Sequence, residues 1–486
     1  MAMEQTWTRA ALWTLLEKIT SLIVQLVVFL LLARMLGPAS FGVFNAVFIV
    51  FAVATIVFDS GFQIALVRGR DVEGGLVHTV FWTMLGCAVA YVAVVTAVIV
   101  AVAGMIDNQE VVSVVLWMLP LIVVYPIVTT LTALLKRRLL FRALAVRPLI
   151  ANGLAGAAGI AAAAYGDMGV YSLVLREYVM LAIQIALSIG IVGWRPRLHF
   201  RREELASVTT FVRHASAHGL MHTLGNRIPA PIIAGSLGIV PAGYYGAASR
   251  LGDLVFTLAR FTMSRVGLQA FSHGEPSIEE VRRMYRYAVR LVALVTVPMF
   301  CGLSLVAEPL VATLLDDQWL PVTGLLAILS LGYLPLCFAS LNRTLMFARG
   351  RARWVAWETA IGLAAAVVGV WLAVPYGLEA VGWAIAGRNL LVLAISTAGV
   401  LRYFKLPPVL LAGAVLRPAL AAVAMVAAIL ALEHTELTDG DSLRGLAILV
   451  AGGAVAYGIA VLALMPREIV ALASRLRSAF RPAAAG

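Results

Sequence analysis

The stretch Ala33-Arg34-Met35-Leu36-Gly37-Pro38-Ala39-Ser40-Phe41-Gly42-Val43-Phe44-Asn45-Ala46 decides the reading of this chain, because its pattern returns once. Ala33, Leu36, Gly37, Gly42, Phe44 and Ala46 recur as Ala234, Leu237, Gly238, Gly243, Tyr245 and Ala247, every pair 201 residues apart. The first copy lies between the first and second apolar runs of the sequence, the second between the seventh and eighth. Six runs separate the copies, so both halves enter a membrane in the same sense. Parallel repeats of this kind mark transporters and put a substrate site at the interface between the halves.

Composition supports a membrane reading. The 486 residues are 62% hydrophobic and only 13% charged, with a mean hydropathy of +0.95. Soluble chains run at about 45–50% apolar and about 25% charged. Apolar runs fall near 11–33, 41–58, 78–103, 111–135, 146–165, 170–193, 211–239, 243–270, 287–312, 321–347, 354–374, 379–401, 411–432 and 444–465. At about 20 residues per span, fourteen spans use nearly the whole chain and leave no room for a soluble catalytic domain. The expected fold is therefore an all-α polytopic membrane protein. About 14 transmembrane helices form two six-helix lobes related by a parallel pseudo-two-fold, plus two C-terminal helices. The expected boundaries are 1–200 for the N-lobe, 201–405 for the C-lobe, and 406–486 for spans thirteen and fourteen with a tail.

The connecting loops alternate in charge. One set carries Arg68 and Arg70, the group from Lys136 to Arg147, Arg195 to Arg202, Arg282 to Arg286, Arg349 to Arg353, Arg402 with Lys405, and the tail from Arg467 to Arg481. The other is mainly acidic, with Asp107, Glu110, Asp167, Asp316, Asp317, Glu379, Glu433, Glu436, Asp439 and Asp441, and only Arg34 and Arg444 are basic there. The positive-inside rule then places both termini in the cytoplasm, which an even number of spans satisfies. The N-terminus lacks a basic n-region and a cleavage site, and reads as a retained first helix. Cys87, Cys301 and Cys337 sit in apolar stretches without metal spacing and read as packing thiols.

Polar residues line single faces of three spans. Span one carries Thr14, Lys18, Ser21 and Gln25. Span seven carries His214, His218, His222 and Asn226, with Arg227 beside them. Span eight carries Arg250, Asp253, Thr257, Arg260 and Ser264. The spacing of three and four residues is that of one helix face. An ionised side chain at the bilayer centre costs about 2.5–3.5 kcal/mol on insertion scales, so these faces meet a hydrated cavity or pair internally. Arg250 has Asp253 in reach on its own helix, and Lys18 has Glu17. Arg227 and Arg260 have no acid within a helical turn, and Arg388 in span twelve resembles them. No carboxylate or thiolate shares the histidine stripe, which argues against a metal there. Pro229 and Pro231 break span seven near its middle, as in the interrupted helices of transporters. The candidate substrate-binding residues are Lys18, Gln25, Arg34, His222, Asn226 and Arg227, with Arg250, Asp253, Thr257, Arg260 and Arg388 from the second half. Neither a P-loop, G-x-S-x-G nor H-E-x-x-H occurs, so no enzyme activity is expected. Asp439-Gly440-Asp441 reads as a solvated loop.

The segment Ala33 to Phe44 resembles the first-loop signature of bacterial polysaccharide flippases. Further segments match the same family: Lys136-Arg137-Arg138-Leu139-Leu140-Phe141-Arg142, Trp194-Arg195-Pro196-Arg197, Ala242-Gly243-Tyr244-Tyr245, Ala307-Glu308-Pro309-Leu310 and Asp317-Gln318-Trp319. From about residue 10 to 400 the chain is similar to the Wzx-type, polysaccharide-transport branch of the multidrug/oligosaccharidyl-lipid/polysaccharide superfamily, to which MurJ-type lipid II flippases are related. The resemblance implies alternating access in the bacterial inner membrane. The cargo would be a polyprenyl-diphosphate oligosaccharide, such as an undecaprenyl diphosphate carrier, moved from inner to outer leaflet. It implies contact with membrane lipids, a polysaccharide polymerase and a chain-length regulator as partners, and no nucleic acid. It calls for no cofactor, and leaves H+ or Na+ open as coupling ion, with Asp59, Asp253 and Glu358 as candidate acids. Pro229, Ala230 and Gly235 depart from the acid, amide and Arg of many members. The alternative is a cation-coupled multidrug exporter of the same superfamily, which would want an acidic cavity.

Overall fold

The computed structural model describes the backbone over 2–68, 75–106, 108–271, 278–405, 409–435 and 442–466. It describes side chains over 18–68, 75–106, 108–260, 278–405, 412–435 and 442–466. The side chains of Thr14, Glu17 and Ser264, and all of Arg70, Asp107, Glu436, the 439–441 loop and the basic tail, lie outside the described residues.

Every regular element among the described residues is helical. The first half contains α1 (Ala2–Val57), a π-helical turn (Phe58–Gln63), α2 (Ile64–Arg68), α3 (Leu76–Val102), α4 (Gln109–Arg137), α5 (Phe141–Tyr165) and α6 (Tyr171–Val192). Then come α7 (Arg202–Arg227), α8 (Pro229–Ser236) and α9 (Ile239–Phe271). The chain continues with α10 (Ile278–Leu305), α11 (Ala307–Leu314), α12 (Val322–Ala348), α13 (Ala352–Ala373), α14 (Leu378–Phe404), α15 (Val409–Glu433) and α16 (Leu443–Leu464).

Eleven described stretches are long and apolar enough to cross a membrane. One of them, Lys18–Arg68, has 51 residues, about 75 Å of helix at 1.5 Å per residue, enough for two crossings. It bends at Gly37, whose φ of 68° and ψ of 177° are not helical, and Pro38 opens the second arm, where its missing N–H costs nothing. Phe29 and Phe41 meet edge to face across the bend, 5.5 Å between centroids. The seventh and eighth spans, α7 with α8 and then α9, have the length but fall short in apolarity because they carry the polar faces. Fourteen crossings are thereby accounted for.

The helices gather into two compact units, one over Glu17–Gly246 and the other over the rest of the chain. In the first, Val47, Leu66, Met84, Ile122, Leu131, Val174 and Val212 form one apolar core drawn from the second arm of α1 and from α2, α3, α4, α6 and α7. In the second, Ala259, Tyr285, Phe300, Leu341, Val355 and Val400 tie α9 to α10, α12, α13 and α14. α15 and α16 join through Met425, Ile429 and Leu449. They expose Leu416, Val423, Val455 and Ile459 outward, as a lipid-facing helix pair does.

The repeat is visible in backbone geometry. Gly238 has a positive φ of 106°, as its counterpart Gly37 does. A Cβ on Gly42 would overlap the carbonyl of Ile239, and a Cβ on Gly243 would overlap that of Pro38. Ile239 is the counterpart of Pro38 at the same offset, so the two contacts are mirror statements of one another. A Cβ on Gly246 would strike Asn45, again its own counterpart. Within this unit the two copies pack face to face about a local pseudo-two-fold.

Two boundaries move from expectation. α10 starts at Ile278, ahead of the apolar run at 287, because its first turns are a basic, solvated extension in which Arg282 bonds Glu279 and the Lys405 carbonyl. The run 287–312 breaks after Leu305, the residue whose carbonyl Pro309 would meet in a continuous helix.

Candidate functional site

In the first unit the polar faces keep their helical spacing and bond along it. Gln25 donates to Ser21 Oγ at 3.1 Å, and both are wholly or partly buried, as is Lys18. Arg34 is exposed just before the bend. On α7, Asn226 Nδ2 lies 2.9 Å from His222 Nδ1. His214 bonds back to the Thr210 carbonyl at 2.7 Å. Arg227 is exposed at the C-terminal turn of α7, where a cation complements the helix dipole. Its guanidinium stands 5.4 Å from the centroid of Phe48, one member of the aromatic run Phe44, Phe48, Phe51 and Tyr125. A cation over an aromatic face gains about 0.5–1 kcal/mol, more when desolvated. α7 ends at Arg227 and resumes at Pro229, so the proline break falls late in span seven.

The π-turn is a feature no residue pattern announced. It presents Asp59 to Tyr125 (2.7 Å), Thr129 (3.2 Å) and Gln63 (3.1 Å), all donating. Lys136 in turn donates to Gln63 Oε1. Ser60 and Ser216 cover the carbonyls of Ile56 and Val57. Asp59 is thus fully engaged in a local network.

In the second unit α9 carries Arg250, Asp253, Thr257 and Arg260 as expected. Asp253 accepts from the Tyr333 hydroxyl of α12 at 2.7 Å, and Thr257 bonds back to the Asp253 carbonyl at 2.8 Å. Arg260 is exposed, 5.9 Å from the centroid of Phe256. It lies near enough to Arg343 of α12 for the two guanidinium groups to repel. Arg343 was not singled out from the sequence, since it stands just before a basic loop and reads as an anchor. Its Nε lies 3.6 Å from Glu358 Oε1 of α13. Arg388 is half-buried and donates to the Gly362 carbonyl (3.3 Å) and to Asn389 (3.0 Å). The structure pairs Arg343 with Glu358, and leaves Arg388 bridging α13 and α14.

The loop after α6 is fastened to α3. Trp194 stacks on His78, 5.6 Å between centroids, and Trp82 donates to the Arg197 carbonyl at 2.8 Å. Glu204 accepts from Thr79 at 2.6 Å and contacts His199 at 3.2 Å. Partial burial pushes the Glu204 carboxyl up. The hydrogen bonds from Thr79 and His199 and the charges of His199 and Arg201 outweigh that and hold it below the usual range.

Two helical units with a parallel repeat and arginine-bearing polar faces define a multi-pass membrane transporter. The family model described as polysaccharide biosynthesis protein matches residues 31–324, and the chain belongs to that family. Among curated relatives, it is 26% identical over 336 residues to the succinoglycan biosynthesis transport protein ExoT of Rhizobium meliloti (strain 1021), covering 68% of each chain. It is 23% identical to the teichuronic acid biosynthesis protein TuaB of Bacillus subtilis (strain 168), over 70% of this chain and 71% of that one. It is 22% identical to the lipopolysaccharide biosynthesis protein WzxC of Escherichia coli (strain K12), over 68% of each. Its fold is similar to that of the lipid II flippase MurJ in an inward closed conformation. The TM-score there is 0.77 at 15% identity, over 95% of this chain and 99% of that one. An inward-facing multidrug resistance transporter of the MATE family and MOP superfamily follows at a TM-score of 0.61 and 17% identity, over 81% and 98%.

Proposed function

We propose that this chain is a flippase for polyprenyl-diphosphate-linked oligosaccharides. It would carry repeat units from the inner to the outer leaflet of the bacterial cytoplasmic membrane by alternating access, with both termini in the cytoplasm. The observation that carries this reading is the basic character of the polar faces. The ion pairs of the described residues leave out Arg227 and Arg260, and both are exposed on the helices with the polar stripes. A diphosphate brings about two negative charges, and planar guanidinium groups bind such oxygens in bidentate, charge-assisted fashion. Gln25, Asn226 and Thr257 supply exchangeable hydrogen bonds for sugar hydroxyls. A drug cation would meet repulsion on the same faces.

The test is complementation of a strain deleted for the gene. Arg227→Ala and Arg260→Ala each lower surface polymer at least about tenfold, the loss of one charge-assisted contact or more, while the protein reaches the membrane at wild-type level. Normal polymer in both variants contradicts the site. Unchanged polymer but increased drug sensitivity in the deletion strain moves the assignment to a multidrug exporter.

A further inference from the structure

The second unit holds a carboxylate that substrate binding leaves unused. The Glu358 side chain is 1% exposed. Its Oε1 accepts no hydrogen bond among the described residues, and Arg343 Nε at 3.6 Å is an ion-pair partner too distant to donate one. Among the described charged groups of the helices packed nearby, only Arg343 is paired with it. α12 supplies Arg343. α14 supplies Arg388, which is committed to the Gly362 carbonyl one turn further along α13. α9 supplies Arg260, which acts on Arg343. On α13 itself and at its start, Arg353 is exposed and Arg351 sits 4.6 Å over Tyr403. The neutral Asn342, next to Arg343 in the chain, donates to Ser396 and Thr397 of α14.

A buried carboxylate with one counter-charge and no hydrogen bond is held ionised by that counter-charge alone. If the partner turns away, the acid takes a proton instead of remaining as an unpaired charge. Arg343 has a reason to turn away, because it neighbours a second guanidinium that a dianion would join to it.

We propose that Arg343 is shared between Glu358 and the anionic group of the substrate, so that anion binding and protonation of Glu358 form one linked equilibrium. Without anion, Arg343 pairs with Glu358. With anion, Arg343 and Arg260 hold it together, and Glu358 takes one proton from solvent hydronium: one O–H bond of hydronium breaks, leaving water, and one O–H bond forms on a carboxylate oxygen. No other covalent bond forms or breaks, and the anion replaces the Glu358 charge beside Arg343. The inference rests on the diphosphate reading above, and by linkage it is reciprocal: acid conditions favour anion binding.

The experiment uses the full chain in detergent micelles with inorganic pyrophosphate as probe. Calorimetry in buffers of different ionisation enthalpy counts protons per anion bound. Wild type takes up about one proton more than Glu358→Gln, the difference cancelling the titration of pyrophosphate itself. While about one proton is taken up, wild type gains about tenfold in affinity over Glu358→Gln for each pH unit of acidification between pH 8 and pH 6. Arg343→Gln weakens binding in both backgrounds. Equal proton uptake in wild type and Glu358→Gln overturns the proposal while leaving the diphosphate reading intact. Absence of pyrophosphate binding in wild type overturns both. Infrared difference spectra of wild type alone, should the variant fail to fold, gain a protonated-carboxyl band when pyrophosphate is added, and no such band overturns the proposal.

Discussion

Arg227 and Arg260 differ from Arg176, Arg282 and Arg343 in what holds them: an aromatic face beside each, where those three have a carboxylate. The contrast with Arg176 and Arg282 was legible in the sequence, because those two have a Glu one or three residues away and neither Arg227 nor Arg260 has an acid within a turn. The Arg343–Glu358 pair was not legible as a pair, since its members sit on different helices and each had an ordinary local reading. Glu204 gives a pH signature at this scale. Its folded value lies below its ordinary value of 4.5, so the unfolded chain binds more protons in that window. Its contribution is complete above about pH 4.5 and is lost as pH falls through the lower folded value. Melting of wild type in detergent therefore falls more steeply below about pH 4.5 than melting of Glu204→Gln. Parallel curves would detach Glu204 from the stability of the loop that it fastens.

The turns between paired helices matter more than any single helix. Gly42 and Gly243 each face a backbone carbonyl that cannot move aside. Overpacking of this kind costs about 1–3 kcal/mol, so Gly42→Ala and Gly243→Ala each lower the melting temperature. Gly86 on α3 has open space around it, and Gly86→Ala is neutral or stabilising, by up to about 1 kcal/mol. Equal effects at all three positions would contradict the close packing of the repeat. The glycines were legible as a recurring pattern, but the contact between the copies needed the fold. The break in span seven was announced by Pro229 and Pro231. The π-turn at Phe58–Gln63 had no such herald: the apolar run leading into it is too continuous for a one-residue shift of phase to show, and the Val57 carbonyl at its start is covered by Ser216 from a helix far along the chain.

Across the whole molecule, hydropathy and the repeat were enough to read fourteen helical crossings, because a bilayer requires long apolar helices and leaves few alternatives. The same signal weakens in α7 and α9, where the polar residues that break apolarity are the ones a hydrated substrate path needs. The family match places the chain among polysaccharide biosynthesis proteins, and the arginine-bearing faces accord with a cargo carrying phosphate charge. The most direct test of that central claim is mass spectrometry of lipids from a strain lacking this gene. A flippase deletion is expected to accumulate a complete polyprenyl-diphosphate oligosaccharide and to lose surface polymer. An unchanged lipid-linked pool with normal polymer would contradict it.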